Sequence, residues 1–192
     1  MKPWAIAIAS AAGIAAILLF ATRSKAASTA RVGLIGDSLI AGLDGLVSGQ
    51  VACVGFVGQG AGFIAGRLGD VLRFGPTHVV VLAGVNDIAA GRGADFVKHN
   101  LGNIYDSIRD AGAKPIAVQL TPWRGHAAGK NHQAETLSVN AWIQSQGVTW
   151  VNTASIGDAN GTLRKEYDSG DGLHLNQEGR VRLAELIRKK VR

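Results

Sequence analysis

The sequence predicts an α/β fold with a mostly parallel sheet, and three observations carry that prediction. Strand-like runs alternate with helix-like stretches along most of the chain. The runs are apolar and rich in β-branched residues, as in strands covered on both faces. Small, turn-forming residues collect just after several of them. Arg31–Gly36 opens the series, followed by Val51–Val57, His78–Gly84, Pro115–Leu120 and Val148–Asn152. Between and after these runs lie apolar stripes at helical spacing. Ile64, Leu68, Val71 and Leu72 form one stripe, and Phe96, Leu101, Ile104, Tyr105 and Ile108 a second. Leu137, Val139, Trp142 and Ile143 form a third, and Val181, Leu183, Leu186 and Ile187 the last. Ala111-Gly112-Ala113-Lys114-Pro115 reads as a helix stop followed by a strand start. Five strands with intervening helices need helices on both sheet faces.

Composition narrows the class. With 192 residues, 47% hydrophobic and 18% charged, the chain suits one packed domain and not a disordered polymer. It carries 26 glycines, about double the usual share, without a collagen period. The single cysteine, Cys53, allows no internal disulfide and no cysteine-based zinc site. In an apolar strand it reads as a small buried filler. The net charge of +6 is weaker evidence than it looks. Lys2, Arg23 and Lys25 supply half of that excess, and Arg180 to Arg192 hold a terminal cluster that suits the end of a helix. No basic–aromatic interleaving points to nucleic acid.

Residues 1–27 stand apart from the rest. Trp4 to Ala21 is an uncharged apolar run between Lys2 and Arg23. As a helix it would reach roughly 27 Å, close to the thickness of a bilayer core. Ser24 and Ala26 provide small residues at the positions a signal peptidase reads, with Lys25 between them. The expectation is a signal peptide or N-terminal membrane anchor over 1–27, and a domain over 28–192. Export follows, either as a freed protein or on a tether, with membrane contact through this segment if it is not cleaved.

In an open parallel sheet, chemistry sits beyond the carboxyl ends of the strands. The residues there are Gly36-Asp37-Ser38, Gly58-Gln59-Gly60-Ala61-Gly62, Gly84-Val85-Asn86-Asp87 and, ahead of the last helix, Asp171-Gly172-Leu173-His174. Their jobs are complementary. A serine hydroxyl needs a base, so Ser38 calls for His174, and a histidine base needs its tautomer held, so His174 calls for Asp171. A developing oxyanion needs fixed donors: the Ser38 N–H, a glycine N–H of the second loop and the Asn86 amide are candidates. Taken singly, each has a plainer role as a turn, a cap or a surface residue. Their order and placement favour chemistry.

These blocks resemble those of the GDSL family, also called SGNH hydrolases. Gly36-Asp37-Ser38-Leu39 resembles its nucleophile block, Gly84-Val85-Asn86-Asp87 its asparagine block and Asp171-Gly172-Leu173-His174 its terminal block. The resemblance implies a flavodoxin-like three-layer α/β/α fold with a five-stranded sheet and hydrolysis of esters or thioesters. It implies Ser38 as nucleophile, His174 as base, Asp171 as supporting carboxylate and Asn86 as oxyanion donor. In the family's second block, Cys53 and Gly60 stand where Asn and Thr are usual. That register places the glycine donor on Gly58, with Gly60 as its competitor.

Other features carry less. Gly60 to Ala65 matches a dinucleotide-loop pattern, but after the second strand and without a ribose-binding acid. His78, His99, His126 and His132 lack metal-ligand spacing, so no metal and no cofactor is expected. Trp123, after the fourth strand, reads either as a substrate wall or as packing for its loop. The functional expectation is a serine ester hydrolase acting on small acyl or acetyl esters, with cell-wall or extracellular carbohydrate as one carrier. The rival is a non-catalytic binding module on the same fold, with a thioesterase or lysophospholipase as variants of the enzyme reading.

Overall fold

The computed structural model of the protein describes residues 30–123 and 131–191. The expected segment 1–27 lies outside the described residues. Among those described, no helix is long and apolar enough to cross a membrane.

Five strands form one sheet: β1 (Val32–Gly36), β2 (Gln50–Gly55), β3 (His78–Leu82), β4 (Lys114–Val118) and β5 (Thr149–Val151). All four pairings are parallel, in the order β2-β1-β3-β4-β5. The core of β1 shows why its run is continuously apolar: Val32, Leu34 and Ile35 are all completely buried. β2 to β5 end one to two residues earlier than their apolar runs, because the tails turn over the sheet edge. Phe56, for example, leaves β2 with its N–H still donating to the Gly36 carbonyl at 2.8 Å.

The helices are α1 (Ser38–Ala41), α2 (Ala61–Ala65), α3 (Gly69–Leu72), α4 (Val85–Ala89), α5 (Gly93–Asp110), α6 (Gln133–Ser145) and α7 (Gln177–Arg188). The first helical stripe is split into α2 and α3, as Gly66 and Gly69 on either side of the break would favour. Asn86 and Asp87 lie inside the short α4 and not at its cap. Three stripe residues face out: Phe96, Leu137 and Val181 are exposed, while their helices bury neighbours such as Val97, Val139 and Leu183. Cys53 is only half-buried; its Sγ donates to the Ile40 carbonyl at 3.3 Å.

Side chains alternate across a strand, so Gly33 and Gly36 mark opposite faces of β1. Gly33 lies against Val71 of α3, and Gly36 against Ile40 of α1. α7 reaches the α1 side, where Arg180 packs on Gly42. α5 packs on α2 and α6, and right-handed crossovers place α2 to α6 together on the other face. The strand order reverses between β1 and β3. That crevice is where an open α/β sheet takes ligands.

Candidate active site

Ser38 is the first residue of α1, directly after β1. Asp37 caps that helix: its Oδ1 accepts from the Leu39 N–H at 2.9 Å. The cap is completely buried, and Asp37 Oδ2 has no hydrogen-bond partner among the described residues. Burial pushes the Asp37 carboxyl up to about 7; the Leu39 N–H and His174 oppose the rise and Asp87 adds to it. The cap leaves Ser38 itself half-exposed at the sheet edge.

His174 comes from the loop before α7. Ser38 Oγ and His174 Nε2 are 3.0 Å apart, and His174 Nδ1 and Asp171 Oδ2 2.6 Å. The Oδ1 of Asp171 also accepts from the backbone N–H of Leu173 at 3.0 Å and of His174 at 2.8 Å. Desolvation works against ionisation of Asp171. The hydrogen bonds from the His174 ring and from both backbone donors outweigh it and hold its carboxyl well below the usual range. An ionised Asp171 selects the tautomer in which Nδ1 carries the proton and donates it. Nε2 is then a lone pair aimed at the Ser38 hydroxyl. The three predicted residues are brought together in line.

The loop that presents this pair is built locally. Asp168 Oδ1 accepts from the N–H groups of Gly170 at 2.9 Å and Gly172 at 3.0 Å. Ser169 N–H donates to the His174 carbonyl at 2.9 Å, closing the loop on itself. Asn176 then caps α7 by accepting from Gly179 N–H at 2.9 Å. Asp168 was not singled out from the sequence, although its spacing to two following glycines is an Asx-turn signal.

The other side of Ser38 belongs to the loops after β2 and β3. Gln59 N–H donates to the Phe56 carbonyl at 3.1 Å, making a tight turn with Gly58 at its third position and φ +74°. Only glycine adopts that conformation readily. Gly58 is exposed and its N–H has no partner among the described residues. Gly60 is glycine for a different reason: a side chain there would collide with the Asp87 carboxylate. The half-buried Asn86 donates from Nδ2 to the Gln59 carbonyl at 3.0 Å. Asp87 Oδ2 accepts from Ala61 N–H at 2.7 Å, and its Oδ1 from Arg92 at 3.0 Å. Two adjacent residues of α4 thus clamp the second loop at Gln59 and Ala61. The plainer reading of this block, a turn or a cap, does not describe Asp87: its carboxylate stands where a side chain at Gly60, the position of the family's usual Thr, would project.

Trp123 belongs to the segment that follows β4. It is buried and stacks on His132 with centroids 4.9 Å apart. Its cavity, about 500 Å³ between α6 and the segment after β5, contains none of Ser38, His174, Gly58 or Asn86. His78 and His99 also lie apart from the site, bonded to Thr77 and Asn103; His126 lies outside the described residues. Among the described residues no group of three metal-ligating side chains is arranged to hold an ion.

Comparison with known proteins gives the family and the fold. Residues 26–181 match the model of the GDSL-like lipase/acylhydrolase family. No curated protein matches the chain. Among solved structures, a GDSL-like lipase from Bacteroides thetaiotaomicron is 21% identical, covering 85% of this chain and 88% of that one, with a TM-score of 0.72. A psychrotrophic esterase from Pseudoalteromonas is 17% identical over 83% and 95%, with a TM-score of 0.62. An acetylxylan esterase from Geobacillus stearothermophilus is 14% identical over 84% and 94%, with a TM-score of 0.65. At these identities the likeness establishes the fold, and the family match goes further. The chain belongs to the GDSL-like lipase/acylhydrolase family and is a hydrolase.

Proposed function

We propose that the protein is a serine ester hydrolase that cleaves small acyl or acetyl esters through an acyl-enzyme. The observation that carries the proposal is the line from Ser38 Oγ to His174 Nε2 at 3.0 Å and from His174 Nδ1 to Asp171 Oδ2 at 2.6 Å. Oγ attacks the acyl carbon while its proton passes to Nε2. Negative charge grows on the carbonyl oxygen, and we assign the N–H groups of Ser38 and Gly58 and Asn86 Nδ2 as its donors. The imidazolium, stabilised by ionised Asp171, returns its proton to the leaving alcohol oxygen. Water then attacks the acyl-enzyme with His174 as base, releasing the acid and restoring Ser38. No cofactor or metal enters this scheme. We propose cell-wall or extracellular carbohydrate as the carrier of the ester, a class that includes the substrate named for the similar acetylxylan esterase.

The test is Ser38→Ala. Turnover of nitrophenyl acetate and covalent labelling by a fluorophosphonate should both disappear while the fold is kept. Hydrolysis at a near-wild-type rate in that variant would overturn the mechanism.

We also propose that residues 1–27 direct export and leave the chemistry to the remainder. Every proposed catalytic residue lies downstream of Val32. A chain beginning at Ser28 should be soluble and retain turnover, while the full chain should pellet with membranes or appear processed outside the cytoplasm. An unfolded truncation beside a soluble cytoplasmic full chain would reverse that assignment.

A further inference from the structure

The surface next to the oxyanion loop is apolar. Val57 is 72% exposed, Phe63 47% and Phe96 40%. They gather on neighbouring elements. Val57 directly precedes Gly58. Phe63, on α2, meets Phe56 edge-on with ring centroids 5.3 Å apart. Phe96, on α5, leans over Gly62 of α2, where an added methyl would touch its ring at 3.7 Å. Arg67 lies over Phe56 at 5.6 Å and Arg92 over Phe96 at 5.2 Å, whereas Val57 and Phe63 stay exposed. The other large exposed apolar residues among those described, Phe74, Leu137 and Val181, sit singly on other elements. Single exposed side chains need no explanation, whereas a contiguous patch beside a reactive serine does.

The stereochemistry of the reaction says what would cover it. Around the tetrahedral carbon, one oxygen is Ser38 Oγ and a second points to the oxyanion donors. The leaving oxygen must lie within reach of His174, which arrives from the α1 and α7 face. The remaining substituent is the acyl chain, directed away from His174 and toward the face of α2 and α5. Resting on the ester-hydrolase reading above, we infer that Val57, Phe63 and Phe96 form a shelf that carries the acyl chain. Among small acyl esters the enzyme then favours straight chains of a few methylenes over acetyl. A shelf covers a chain on one side only, so each added methylene should raise kcat/KM by about twofold, against about fourfold for full burial.

The experiment uses the full chain and a series of nitrophenyl acetate, butyrate, hexanoate and octanoate. Wild type should show kcat/KM rising with chain length to hexanoate. Combining Val57→Ser with Phe63→Ser should flatten that slope, each variant being scaled to its own acetate rate, and Phe96→Ser should flatten it in part. Phe74→Ser, an equally exposed apolar residue away from the site, should keep the slope. Labelling rates with short- and long-chain alkyl fluorophosphonates should follow the same pattern without any deacylation step. Acetate turnover with a flat or falling slope in wild type, or an unchanged slope in the double variant, overturns the shelf and leaves the ester-hydrolase reading standing. Failure to turn over any ester or to be labelled at Ser38 overturns both.

Discussion

The two sides of Ser38 are held in opposite ways. On the His174 side the contacts are local: Asp171 reaches residues two and three positions away, and Asp168 braces Gly170 and Gly172 on either side of it. On the oxyanion side they are long-range: Asn86 and Asp87 hold Gln59 and Ala61 across 27 and 26 residues. The difference is one of division of labour. A base must be presented as a unit with its partner, so a self-contained loop suffices. Oxyanion donors come from separate strands, so their spacing depends on the sheet and on whatever ties one loop to the next.

The largest effect should come from breaking the local unit. His174→Ala removes the base and should lower kcat by about 10⁴- to 10⁶-fold, near the loss for Ser38→Ala, because such residues act together. Asp171→Asn keeps the loop shape but accepts less well from Nδ1, and should also lower kcat severely with the fold intact. Single-turnover acylation rates check both. Near-wild-type acylation in His174→Ala would place the base elsewhere.

The long-range side should give smaller, graded losses. Asn86→Ala should cost about 10²- to 10³-fold in kcat, the range for one oxyanion donor. Asp87→Ala should cost about 10- to 10²-fold through misplacement of the loop, with KM changed little, and Asp87→Asn should recover much of it by again accepting from Ala61 N–H. Steady-state kinetics and melting temperatures separate the two. If Asp87→Ala melts early yet keeps kcat, Asp87 serves stability alone and the clamp does not set the donors.

The same contrast explains what was legible in the sequence. The strands are all parallel, and the five apolar runs, the helical stripes between them and the turns after them were enough to foresee that architecture. Ser38, Asp171 and His174 were readable because two of them lie three residues apart and the third opens a glycine-led turn. Gly58 was reached through a register with two departures from the family's usual block. The physical reason for one departure, Asp87 filling the space at Gly60, depends on a contact across 27 residues that no local pattern reveals. No apolar stripe marks α1 because a single turn has too few residues for a periodicity, and the exposure of Phe96 was not legible because apolar spacing does not say which edge of a stripe faces water.

The smallest expected effect compares two carboxylates beside the same imidazole. Asp171 is partly exposed and held ionised, whereas Asp37 is sealed under α1 with its pKa raised to about 7. Between about pH 4 and about pH 7 the native chain keeps a proton on Asp37 that the unfolded chain has lost. Stability should therefore fall as pH rises through that window and level off above it. Asp171 adds no slope there, because its lowered pKa contributes stability that is lost only as pH falls below the ordinary carboxylate range. Asp37→Asn keeps an oxygen to accept from Leu39 N–H and removes the titration. Urea midpoints of wild type and variant at pH 4.5, 6 and 7.5 should thus converge or cross as the wild type weakens, by on the order of a few kcal/mol at most. Parallel curves would mean that Asp37 ionises alike in both states, and that the pocket beneath the nucleophile is wetter than its burial implies.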